Sequence, residues 1–123
     1  MSKPTCTTDM YGTKCWYLNG KRQRTDGPAV EYTDGEKEWY LNGKLHREDG
    51  PAVINYDGSE EWYINGKRHR EDGPAFINSN GSESWYINGE VVNNTLLQNF
   101  FTLFSLTMIR FKSLINFCIF KKD

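Results

Sequence analysis

A tryptophan recurs at positions 16, 39, 62 and 85, each 23 residues from the last. Each opens the same phrase, Trp-Tyr-Leu/Ile-Asn-Gly, and in three copies the phrase runs on to Asp-Gly-Pro-Ala. The clearest statement is Trp39-Tyr-Leu-Asn-Gly-Lys-Leu-His-Arg-Glu-Asp-Gly-Pro-Ala52. A fixed period of this size specifies a repeat architecture. One copy cannot bury a core alone, so stacked neighbours must supply it.

Within a copy, the punctuation predicts strands and turns. Ala52-Val-Ile-Asn-Tyr56 is rich in strand formers, Asp57-Gly58 signals a tight turn, and Glu60-Glu-Trp-Tyr-Ile64 returns. Read as a two-residue type I′ turn, Asp57-Gly58 pairs Tyr56 with Ser59, Ile54 with Glu61 and Val53 with Trp62. Asn65-Gly66 is a second turn signal, Lys67 to Asp72 reads as a polar connection, and Gly73-Pro74 starts the next strand. Strand alternation then puts Trp16, Trp39, Trp62 and Trp85 in one row as the structural core of the repeats. Leu18, Leu41, Ile64 and Ile87 join that row, as do Val30, Val53 and Phe76 from the opposing strands. Tyr17, Tyr40, Tyr63 and Tyr86 form a row on the other face, a candidate interaction surface. With two strands per copy at ~4.8 Å spacing, the array rises roughly 10 Å per repeat and spans about 35 Å.

The pairs Arg24/Asp26, Arg47/Asp49 and Arg70/Asp72 precede each Gly-Pro step. Their recurrence favours a structural clamp on the crossover over a ligand site. His46 and His69 are one repeat apart, roughly 10 Å, too far to share a metal ion. No Ser/His/Asp or Cys/His arrangement stands out from the repeat, and residues present in every copy are architectural. The reading is therefore of a non-enzyme with no catalytic, cofactor or metal residues.

Charge separates two parts. Residues 1–94 carry 11 basic and 15 acidic residues, a net charge of −4, whereas 95–123 are basic, with Arg110, Lys112, Lys121 and Lys122 against Asp123. An acidic array is a poor match for nucleic-acid phosphates, so no nucleic-acid partner is expected. Cys6, Cys15 and Cys118 fit neither a disulfide framework nor a zinc site, and in the proposed register Cys15 faces Thr8. The opening Met-Ser-Lys-Pro-Thr lacks the apolar stretch of a signal peptide, which predicts an intracellular protein that is not secreted.

Three segments follow. Residues 1–15 read as a degenerate N-terminal capping half-repeat, 16–89 as the repeats and 90–123 as an apolar tail. The tail has no Gly or Pro, and Leu96, Phe100, Leu103, Phe104, Phe111, Leu114, Ile115 and Cys118 recur at helical spacing behind Asn94 or Thr95 as N-cap. An α-helix there has three readings: packed on the sheet, lying on a membrane through 95–120, or a loosely ordered tail. A full span is disfavoured because Arg110 and Lys112 interrupt the apolar stretch.

The pattern Gly-Pro-Ala-x(4)-Asp-Gly-x(3)-Trp-Tyr-x-Asn-Gly-Lys resembles the MORN repeat over residues 12–89. It is more similar to MORN-variant repeats of the kind found in proteins of large DNA viruses and bacteriophages. The resemblance implies an all-β array, an elongated antiparallel sheet of stacked β-hairpins. It also implies a non-catalytic role in protein interaction, assembly or membrane association. The expected function is a protein-interaction or assembly module whose partner is another protein or a second copy of the chain. The alternative is a peripheral membrane protein anchored by the C-terminal amphipathic helix.

Overall fold

A computed structural model describes residues 2–92. The expected C-terminal helix lies outside them. The described residues are all-β, with antiparallel hairpins and no helix. The chain opens with β1 (Thr5–Thr8), β2 (Lys14–Leu18) and β3 (Lys21–Arg22). The second repeat supplies β4 (Val30–Glu31), β5 (Lys37–Glu38), β6 (Tyr40–Leu41) and β7 (Lys44–Leu45). The third supplies β8 (Val53–Ile54), β9 (Glu60–Glu61), β10 (Tyr63–Ile64) and β11 (Lys67–Arg68). The last described strands are β12 (Phe76–Ile77), β13 (Glu83–Ser84), β14 (Tyr86–Ile87) and β15 (Glu90–Val91).

Each copy builds two hairpins rather than one. The first hairpins join in a single sheet of order β1-β2-β4-β5-β8-β9-β12-β13, with β3 on β2. The second hairpins, β6–β7, β10–β11 and β14–β15, turn at Asn-Gly. Trp39, Trp62 and Trp85 stand between the two halves of their copies. The expected polar connection is thus shorter than the sequence implied, because Lys67–Arg68 is a strand paired with Tyr63–Ile64. Backbone bonds tie the second hairpins to one another: Gly66 N–H donates to Leu45 O (2.8 Å) and Arg47 N–H to Tyr63 O (3.1 Å). Gly89 to Arg68 and Arg70 to Tyr86 repeat the pattern one copy later. Two ladders therefore run side by side through the repeats.

The two turns differ in kind. Asn65 and Gly66 both have positive φ, 50° and 80°, so they make a two-residue type I′ turn that pairs Ile64 with Lys67. At Asp57-Gly58 only the glycine is left-handed, at 85°. Gly58 N–H donates to Asn55 O and Asn55 N–H to Ser59 O, a three-residue loop ending in a glycine bulge. The Asp57 carboxylate, accepting from Ser59 N–H at 2.9 Å, holds the loop.

That one-residue difference corrects the expected register. Val53 pairs with Glu61 and Ile54 with Glu60, rather than with Trp62 and Glu61. A slip of one residue moves a strand's side chains to the opposite face. Val30, Val53 and Phe76 therefore lie with Glu38, Glu61 and Ser84 on the tyrosine side, not beneath the tryptophans. In the same way Cys15 pairs with Thr7, and Cys6 with Trp16. Both thiols are free.

The deepest residues are Ala29, Val30, Ala52 and Ala75, all fully buried, with Val53 close behind. The tryptophans are only half-buried. Each alanine joins two repeats through its backbone. Ala52 O accepts from Trp39 N–H and Ala52 N–H donates to Glu61 O, both at 2.8 Å. Strands from successive copies close directly over this position, and a methyl group fills the space.

Candidate interaction groove

The local rule at the Arg-x-Asp-Gly-Pro step is a folded crossover loop. Arg47 Nε donates to Asp49 Oδ1 at 2.9 Å and Arg47 Nη1 to Pro51 O at 3.1 Å. The guanidinium lies 4.1 Å from the centre of the Trp39 ring. Arg24 stacks on Trp16 at 4.0 Å and Arg70 on Trp62 at 4.1 Å, each with the same bonds to Asp26 or Asp72 and to the following proline carbonyl. A cation over an indole is attracted by the negative ring face, and partial desolvation strengthens the contact. The glycine after the aspartate leaves room for the stacked guanidinium, since a Cβ on Gly50 would meet Arg47 Cζ at 2.9 Å and push the arginine aside. The N–H bonds from arginine, together with its charge, hold the Asp26 and Asp49 carboxyls below the usual carboxylate range.

These loops wall a series of clefts on the tryptophan face. One, of about 770 Å³, has Trp62 and Ile64 as its floor and the 47–51 and 69–72 loops as its walls. The preceding cleft, about 570 Å³, has Trp39 and Leu41 below and the 24–27 and 46–49 loops at the sides. A third, about 320 Å³, sits over Trp16 beside Lys3 and Pro4. Adjacent clefts share a loop, so together they form one periodic groove. The loop arginines are spent on Asp, Pro and Trp, and their side chains are 20–24 % exposed. The carboxylates point outward: Asp26, Glu48, Asp49, Glu71 and Asp72 are 72–85 % exposed. The rim is therefore acidic over an aromatic and aliphatic floor. The recurring Glu-Asp step in Arg47-Glu48-Asp49 and Arg70-Glu71-Asp72 was the sequence signal for this rim. It is visible only once the arginine is known to be occupied.

The tyrosine row is built on two other arginines, and of its members Tyr40 also lines the cleft over Trp39. Tyr17, Tyr40, Tyr63 and Tyr86 are half-buried and gather about two arginines. Arg22 lies 5.3 Å from the Tyr40 ring and donates to its hydroxyl at 3.4 Å. Arg68 reaches Tyr86 Oη at 3.4 Å, Tyr63 Oη at 3.1 Å and Glu61 Oε2 at 2.6 Å. It also faces the Phe76 ring at 5.3 Å. Arg68 sits on β11, whereas Glu61 and Phe76 sit on β9 and β12, so this cluster joins the two ladders. Burial, and then the hydrogen bond to Glu61, push the Tyr63 phenol up. Burial alone would lower Arg68, but its bonds to Glu61 and Tyr63 raise it.

The two histidines serve the next repeat. His46 Nδ1 accepts from Asn65 N–H, and His69 Nδ1 from Asn88 N–H, both at 3.1 Å. Gln23 Oε1 does the same for Asn42 N–H. Among the described residues no group of three or more His, Cys, Asp or Glu is placed to hold a metal ion. No helix among them is long and apolar enough to cross a membrane. No family model, no curated protein and no solved structure matches the chain.

Proposed function

We propose that this chain is a non-catalytic, MORN-like repeat scaffold that acts as a protein-interaction module, with the tryptophan-face groove as its working surface. The observation that carries the reading is the repeated cleft itself. Its wall arginines are taken up by aspartate, the proline carbonyl and the tryptophan ring, which leaves Glu48 and Glu71 as surplus charge beside an aromatic floor turned outward. Stacked hairpins are compatible with the MORN-like pattern of the sequence and with an elongated array. The tyrosines, held by Arg22 and Arg68, support the scaffold, and any contact they make to a partner is secondary to the groove.

The test is hydrogen exchange on a complex captured from the source cells. Protection at 24–26, 47–49 and 69–72 supports the reading. Protection confined to residues beyond 92 would give the interaction to the tail instead. The membrane alternative rests on the basic, apolar composition of 95–123. Flotation with anionic vesicles, lost on deletion of 95–123, would support it. Absence of flotation by the whole chain would overturn it.

A further inference from the structure

The groove's chemistry and period define one kind of occupant, an inference that rests on the interaction-module reading above. We propose that it takes a proline-rich segment in the polyproline II conformation, with Lys or Arg at every third position.

Period supplies the first argument. Successive clefts recur once per copy, and two strands per copy set their spacing at roughly 10 Å. A polyproline II helix has three residues per turn and a rise of ~3.1 Å per residue, so residues i, i+3 and i+6 stand on one side at about 9.3 Å intervals. A β-strand ligand fits less well, because residues three apart point to opposite sides. An α-helix advances ~5.4 Å per turn and meets successive clefts only at every second turn.

Charge supplies the second. The net charge at the rim is negative: with Arg47–Asp49 and Arg70–Asp72 paired, Glu48 between two clefts and Glu71 at the next wall are left over, both largely exposed. The 46–49 and 69–72 walls, each with one surplus glutamate, each meet one basic residue of a three-residue period. The intervening prolines fall on Trp39 with Leu41 and on Trp62 with Ile64. Prolines dock on aromatic floors at small entropic cost, because their backbone is already ordered. The loop arginines do not repel the ligand's cations strongly, since Asp26, Asp49 and Asp72 neutralise them at 2.8–2.9 Å.

The experiment uses the full chain and three labelled peptides of equal length, read by fluorescence anisotropy. One repeats Pro-Pro-Arg. The second has the same composition with its arginines contiguous. The third repeats Pro-Pro-Glu. The regular basic peptide should bind about tenfold tighter than either other peptide, a difference that added salt reduces. The double variant Glu48→Gln/Glu71→Gln should weaken it by about tenfold while leaving the melting temperature in place, because both side chains are exposed. Equal binding of the regular and clustered peptides, or indifference to the double variant, would overturn the proposal. A captured partner that protects the three loops while the regular peptide fails to bind would also overturn this ligand class, and would leave the interaction role standing.

Discussion

The second and third repeats share a backbone and differ at an internal contact that joins the two ladders. In the third, Glu61 is met by Arg68 at 2.6 Å and by Tyr63 Oη at 2.8 Å. In the second, Glu38 occupies the position of Glu61, and Leu45 stands where Arg68 does. Glu38 Oε2 is buried with no hydrogen-bond partner. The two copies show that the fold does not need the ion pair. Backbone ladders, the buried alanines and the Arg–Trp loops suffice to hold a half-buried glutamate whose Oε2 has no hydrogen bond. They also show what the pair does, which is to tie the first ladder to the second.

The largest break in this comparison is Arg68→Leu, which makes the third copy resemble the second. It leaves Glu61 behind without its cation, and removing one partner of a shielded pair costs more than the pair contributes. A loss of about 2 kcal/mol is expected in urea denaturation, most of it recovered by Arg68→Leu/Glu61→Leu. The converse change sharpens the comparison. Leu45→Arg gives Glu38 the partner that Glu61 has, and should raise stability by about 1 kcal/mol. If Leu45→Arg destabilises instead, the two copies are not equivalent in packing. Glutamate to glutamine should then separate the copies. Glu61→Gln is expected to cost about 1 kcal/mol, whereas Glu38→Gln should change stability by less than about 0.5 kcal/mol or improve it.

Much of this architecture was legible in the residues. Period, turn positions and the Arg–Asp pairs could all be read from spacing, because identical local chemistry recurs. Asn-Gly specified its turn fully, since both residues tolerate positive φ. Asp-Gly did not, since a glycine bulge needs only the glycine to be left-handed, and the resulting slip of one residue moved Val53 to the other face. Ala52 reads only as the start of a strand run after Gly-Pro, and nothing local marks it as the deepest point of the copy. The groove was hidden for a different reason. Its acidity follows from the arginines being stacked and paired, and that depends on a loop folding back over a tryptophan eight residues earlier.

Two smaller effects probe the contacts between copies. His46→Ala removes the acceptor for Asn65 N–H and should cost about 0.5–1 kcal/mol, while His46→Gln, copying Gln23, should retain most of it. Thermal melts of the two variants make the comparison directly. At neutral pH the least visible effect is alkaline. Burial first, and then neighbouring Glu38 or Glu61, raise the Tyr40 and Tyr63 phenols above their ordinary value. A raised folded-state value means the contribution is fully present below the unfolded phenol's ~10 and is lost as pH rises through the folded value. Urea midpoints should therefore fall above about pH 10, and less steeply in Tyr63→Phe.

Each copy reaches forward to finish the one after it, as Gln23, His46 and His69 do for Asn42, Asn65 and Asn88. A unit built this way is grammatical only in sequence. Whole copies can be gained or lost, because every junction presents the same donors and acceptors to whatever unit follows. A change of a single residue in the spacing has no such freedom: it puts the two copies on either side of it out of phase with each other. Such a chain is free to vary in number and held fast in phase.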